Sequence, residues 1–196
     1  MPTDAWVINA SPIILYSRIG KLNLLEQLAA GVIIPETVIE EVRFGAHKDR
    51  TAAQAVAWAM QYRHSDIVIP ATVERWDLGK SESQVISYCL QGSRCAVLDD
   101  QMARRCINAH ALRMIGSLGV MLRTKEHGLI DKARPWVYKL RSEGMYVADE
   151  LIEQCLSAIG ESLRDKNMTC RSFEDLDIRK QSCRLAVHAY VLKHQF

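Results

Sequence analysis

Ala5-Trp6-Val7-Ile8-Asn9-Ala10-Ser11-Pro12 is the stretch whose reading decides the fold. Four consecutive apolar residues without polar alternation suit a strand buried on both faces, as parallel sheets require. Ser11-Pro12 then reads as a helix start: serine accepts a bond from a first-turn amide, and proline is pre-set for the first helical position. The helix over residues 12–19 is expected to stop at Gly20, a natural left-handed cap. A buried strand feeding a helix is the beginning of a βαβ unit, and the chain repeats the pattern.

Val32-Ile33-Ile34-Pro35, Ile67-Val68-Ile69-Pro70, Cys95-Ala96-Val97-Leu98 and Leu112-Arg113-Met114-Ile115 read as the further strands. Between and after them, helices are expected over residues 21–30, 36–44, 51–62, 81–90, 101–109, 119–126, 132–142 and 148–159. Ser81 is the expected cap of the 81–90 helix, and Trp58 and Trp136 fit helical core positions. Short apolar strands alternating with helices predict an α/β fold, a three-layer α/β/α sandwich with a central parallel sheet. From Glu161 the texture changes to charged residues of weak periodicity. The expected organisation is therefore one domain over residues 1–160 and a C-terminal extension over 161–196, mobile or helical, with a terminal helix over 185–192.

Bulk properties narrow the function classes. With 196 residues, 48% hydrophobic and 24% charged, the chain suits an ordinary globular domain that needs neither disulfides nor metal to fold. A net charge of +2 permits a nucleic-acid partner without demanding one. No apolar stretch approaches the roughly 20 residues that span a bilayer, and no basic segment followed by an apolar run marks a secretory leader. Six cysteines, at 89, 95, 106, 155, 170 and 183, include no Cys-x-x-Cys pair. They predict reduced, mostly buried thiols in a cytoplasmic protein and no structural zinc. The histidines are dispersed, with no pair at metal-ligand spacing.

What remains is a set of acidic or amide residues at strand ends and helix starts: Asn9, Glu41, Glu82 and the pair Asp99–Asp100. Ligands of an open parallel sheet bind beyond the carboxyl ends of its strands, where Asn9 and Asp99–Asp100 should lie. Glu82 falls in the first turn of its helix. Glu41 is expected at the crevice edge, because Val38, Ile39 and Val42 occupy the inward stripe. Carboxylates converging without lysines repel one another unless hard cations such as Mg²⁺ or Mn²⁺ neutralise them. Taken singly, each acid also has a plain structural role: a helix-dipole partner for Glu82, a solvated face for Glu41, a helix cap for Asp99 or Asp100. Arg104 and Arg105, with Arg94 and Arg113 nearby in sequence, could meet phosphates, although arginines on a solvated helix are the commoner case.

The ordered segments carry a resemblance. Val7–Ile14, Ile34–Val42 and Leu78–Ile86 look like the first three motifs of the PIN-domain nucleases, and Val97–Arg105 looks like the fourth. Met114–Leu122 is similar to a signature of one prokaryotic PIN subfamily. The resemblance spans about residues 5–160, in order. It implies a Mg²⁺- or Mn²⁺-dependent endoribonuclease of the toxin type, acting on RNA, commonly dimeric and covered by a cognate antitoxin protein. Asn9, Glu41 and Glu82 take the first three acidic positions, Asp99 or Asp100 the fourth, and Ser11 the hydroxyl of the first motif. Metal would rest on Asn9, Glu82 and Asp99 or Asp100, and nucleic acid on Ser11, Arg104 and Arg105. The departure is Asn9, where the family pattern has aspartate. Its amide can offer a carbonyl oxygen but no charge, which leaves a weakened or inactive binding or assembly module as the alternative.

Overall fold

The computed structural model describes residues 4–45 and 51–161. The extension beyond Glu161, its terminal helix, Cys170 and Cys183 lie outside the described residues. In chain order the elements are β1 (Ala5–Ile8), α1 (Ala10–Arg18), α2 (Asn23–Leu28), β2 (Gly31–Pro35), α3 (Glu36–Gly45), α4 (Ala52–Met60) and β3 (Arg63–His64). They continue with α5 (Ala71–Glu74), α6 (Lys80–Leu90), β4 (Arg94–Val97), α7 (Gln101–Ala109), β5 (Arg113–Ile115), α8 (Ser117–Glu126), α9 (Arg134–Ser142) and α10 (Asp149–Ala158).

The expected α/β architecture is present. Among the described residues the strands form one five-stranded sheet in the order β3-β2-β1-β4-β5, with every pairing parallel. Trp6 sits opposite Val32 on one side and Cys95 on the other. Val7, Ile8, Ala96, Val97 and Leu98 are fully buried, which is why their segments are apolar throughout. From β1 the chain steps outward through β2 to β3, then crosses back to β4 and on to β5. Helices α1, α3 and α4 pack together, α6 packs against α5 and α7, and α3 also meets α6. The reversal falls between β1 and β4, which makes the space beyond their carboxyl ends the natural crevice.

Three expectations about elements change. The third strand is not Ile67–Pro70 but the short β3 that precedes it, paired with Ile34 and Pro35. Ile67 satisfies its backbone elsewhere: its N–H donates to Gln84 Oε1 at 2.9 Å, and its carbonyl accepts from Gln84 Nε2 at 2.8 Å. A side-chain amide thus replaces a neighbouring strand, and Val68 is left 90% exposed. The first helix starts at Ala10, with Asn9 rather than Ser11 at its cap position. Likewise Gly79, not Ser81, precedes α6; Ser81 is buried and its hydroxyl donates to the Thr37 carbonyl at 3.5 Å.

Cys89, Cys95 and Cys106 are buried thiols, and burial pushes the Cys89 thiol up to about 12. Trp58 is buried as expected and donates to Glu26, whereas Trp136 is half-buried with Lys139 over its ring. No helix among the described residues is long and apolar enough to cross a membrane.

The chain divides into two compact units, the second beginning at Met121. Within the second unit, Arg134 forks onto both carboxylate oxygens of Glu153, which also accepts from the Tyr138 hydroxyl. The Glu161 carboxylate accepts from the backbone N–H groups of Ala133 and Arg134 at 2.6 and 2.8 Å, closing the amino end of α9.

Candidate active site

Asn9 leaves β1 directly, and its backbone N–H donates to the Val97 carbonyl at the end of β4, 2.9 Å away. That bond joins the two strands at the topological reversal. The Asn9 side chain is 2% exposed and does not cap α1. Its Nδ2 donates to Glu82 Oε1 at 3.0 Å instead. A carboxylate oxygen accepts and an amide nitrogen only donates, so this bond fixes which way the amide faces. Asn9 Oδ1 is consequently turned away from Glu82, and it is buried without a hydrogen-bond partner among the described residues. An unpaired buried carbonyl costs about 1–3 kcal/mol, so this is an acceptor that a water, a donor or a cation would satisfy.

Glu82 is the third residue of α6, and half-buried. Its carboxylate folds over Gly79, where a methyl group would overlap Oε2. Glycine at that position therefore gives the acid its room, although the backbone there, at φ −57°, is open to any residue.

Asp99 and Asp100 separate cleanly. Asp100 is exposed and caps α7, its Oδ1 accepting from the Ala103 N–H at 2.7 Å. Asp99 is half-buried beyond β4 and faces the end of β5. Its Oδ1 accepts from the Ser117 N–H at 2.8 Å and its Oδ2 from the Ser117 hydroxyl at 2.6 Å. The Arg104 guanidinium approaches the same carboxylate at 3.8 Å. Gly116 lies under this pair: a Cβ there would overlap Arg104 Nη2 and come within 3.0 Å of Asp99 Oδ1.

Two further residues support Asp99 without having been expected to. Tyr16 of α1 is fully buried and donates to the Ser117 carbonyl at 3.0 Å, so it steadies the residue that holds Asp99. Burial first, and the Asp99 charge second, push its phenol well above the ordinary tyrosine value, which keeps it a neutral donor. Ser117 follows β5 after Gly116, much as Asp99 follows β4 after Leu98, but the contact that makes it the partner of Asp99 had no signal in the sequence. Tyr16 had no signal beyond the helical spacing that buries it.

The structure thus joins Asn9 to Glu82, and Asp99 to Ser117 and Arg104. Glu41 lies on the exposed face of α3, with Val38, Ile39 and Val42 buried as expected, and makes no hydrogen bond to these groups among the described residues. Ser11 is exposed on the first turn of α1, and Arg105 is exposed with its guanidinium 3.8 Å from the Met102 sulfur. Arg94 and Arg113 stand at the amino ends of β4 and β5, the opposite end of the sheet, where they bond to the Tyr88 carbonyl and Asp4 respectively.

Among the described residues, no three His, Cys, Asp or Glu side chains converge closely enough to hold a metal ion by themselves. The oxygen donors beyond β1 and β4 stand in two sets, Asn9 Oδ1 with Glu82 and Asp99 with Ser117. That chemistry suits a hard divalent cation, which keeps several waters and needs few protein ligands, and the unpartnered Oδ1 is the atom that fits it.

No curated protein matches the chain. A family model described as PIN domain matches residues 5–161, well over half of the sequence. The five-stranded, all-parallel α/β fold is consistent with that match, and the chain belongs to the PIN-domain family.

Proposed function

We propose that this protein is a Mg²⁺- or Mn²⁺-dependent endoribonuclease that hydrolyses RNA phosphodiester bonds. PIN domains are in general metal-dependent nucleases, and the observation that carries the reading here is the buried, unpartnered Asn9 Oδ1 beside Glu82. Asn9, Glu82 and Asp99 would hold the cation, with Asp100 serving as the helix cap beside them. A cation held there would supply the means to activate water and to offset charge on the scissile phosphate. Ser117 fixes the rotamer of Asp99, and Tyr16 fixes Ser117, so the carboxylate is positioned before substrate arrives. Glu41 supplies an outer negative charge at the crevice edge, and Ser11, Arg104 and Arg105 lie ready for the nucleic-acid backbone. The resemblance of the motifs to toxin-type members supports a cytoplasmic toxin, paired with a cognate antitoxin and able to form a homodimer.

The test is cleavage of single-stranded RNA by the purified full chain with and without Mn²⁺. Stimulation by Mn²⁺ is expected, with Glu82→Ala and Asp99→Ala each lowering the rate at least a hundredfold, about 2.7 kcal/mol of barrier. Cleavage that survives both substitutions removes the proposal. Single-stranded DNA and a phosphomonoester, assayed in parallel, separate it from a DNA nuclease or phosphatase on the same sheet.

A second reading is a non-catalytic binding or assembly module. Asn9 favours it, because the amide brings no charge to a position that is acidic in the family pattern. Robust cleavage by the wild type dismisses this reading, while an inactive wild type that gains cleavage on Asn9→Asp identifies a degenerate site.

A further inference from the structure

Arg104 is placed where a generic surface arginine would not be. It is the fourth residue of α7, near the amino end, where the helix dipole disfavours a cation. Helical side chains lean back toward the amino terminus, so its guanidinium is carried over the carboxyl end of β4 and onto Asp99. The approach, 3.8 Å from Nη2 to Oδ1, is an ion pair rather than a hydrogen bond. Among the described residues the guanidinium makes no hydrogen bond at all, and its side chain is 42% exposed. Arg134, by contrast, commits its donors to Glu153 in a fork. Gly116 lacks the side chain that would exclude Arg104 from this position. The result is a cation whose charge is engaged and whose planar set of N–H donors is unspent.

We infer that Arg104 is a positioning residue that exchanges Asp99 for a substrate phosphate. In the metal-free protein its charge neutralises Asp99. When a divalent cation takes that carboxylate, two positive centres cannot share it comfortably, and the guanidinium turns its donors to a phosphate of the RNA backbone, an anion whose geometry it matches. Cation and guanidinium therefore compete for Asp99, while cation and substrate assist each other. This inference rests on the proposed metal site.

The experiment is Mn²⁺ binding by the full-length protein, read as the free-Mn²⁺ electron paramagnetic resonance signal, for wild type, Arg104→Gln and Arg104→Lys. Loss of the competing charge is expected to tighten Mn²⁺ binding about tenfold in Arg104→Gln, whereas Arg104→Lys stays close to wild type. At saturating Mn²⁺, Arg104→Gln should raise KM for RNA several-fold and change kcat less. Mn²⁺ affinity that is equal or weaker in Arg104→Gln overturns the competition and leaves the metal site standing. An unchanged KM overturns the transfer to phosphate. If none of the three proteins binds Mn²⁺ at millimolar concentration while circular dichroism shows them folded, the metal site itself falls, and this inference with it.

Discussion

An asparagine at the end of β1 offers two different atoms to its surroundings, and only the donor is satisfied. Asn9 Nδ2 holds Glu82 at 3.0 Å, so the amide acts as a neutral spacer between what would otherwise be two carboxylates in contact. Asn9→Asp is nearly isosteric and removes that donor. Two like charges then face each other in a site where Asn9 is 2% exposed, and one acid must take up a proton or the fold must bear the repulsion. The metal-free variant is expected to be less stable than wild type by about 1–3 kcal/mol near neutral pH. The deficit should shrink toward pH 4, because protonating either acid restores a donor between them. Mn²⁺ should also restore stability, since a ligand that binds only the folded state raises its melting temperature. Thermal melts of both proteins at pH 4 and pH 7.5, with and without Mn²⁺, check all three points. Equal melting temperatures without metal at pH 7.5 would show that the Asn9 amide spaces nothing.

Adjacent acids on the short link between β4 and α7 take different tasks because only the second stands directly before the helix. Asp100 stands at the cap position with extended backbone, and its carboxylate satisfies the otherwise orphaned Ala103 N–H. Asp99, one residue earlier, still follows the direction of the strand and meets Ser117. Asp100→Ala should therefore cost about 1 kcal/mol in denaturant unfolding, the usual value of a lost cap, and leave most Mn²⁺-dependent cleavage in place. Abolished cleavage with unchanged stability would reverse the two roles. The sequence left this pair unresolved because spacing alone does not say on which residue a strand hands over to a helix. It misplaced β3 for a related reason. Ile67-Val68-Ile69-Pro70 and Val32-Ile33-Ile34-Pro35 have the same texture, and what separates them is Gln84, a distant side chain that takes over both backbone groups of Ile67. The central strands β1 and β4 were legible because near-complete burial leaves an apolar run. Asn9, Glu82 and Asp99 were legible because they punctuate such runs or open the helices that follow. Ser117, Tyr16 and the pairing of Arg104 were not, since each depends on a contact that no local pattern encodes.

At the scale of the whole chain, strand order explains why residues 9 and 99, so far apart in sequence, share one crevice: the crossover from β3 back to β4 sets Val97 beside Ile8. The second unit has its own long-range closure. Glu161 is the last described residue and the last that the family model matches, and it lies where the sequence suggested that an extension begins. Its carboxylate nevertheless performs a structural task within that unit, accepting from the Ala133 and Arg134 N–H groups while Arg134 itself grips Glu153. A carboxylate at a helix amino end gains from charge-assisted bonds and from the helix dipole together. Glu161→Ala leaves two first-turn donors without that acceptor and is expected to destabilise the full-length protein by about 1–2 kcal/mol. Glu161→Gln keeps one acceptor oxygen without the charge and should fall between the two. The site residues belong to the first unit, so Mn²⁺ affinity should be unchanged in both variants while their melting temperatures drop in that order. Melting temperatures indistinguishable from wild type would mean that water replaces Glu161 at the start of α9 at no cost.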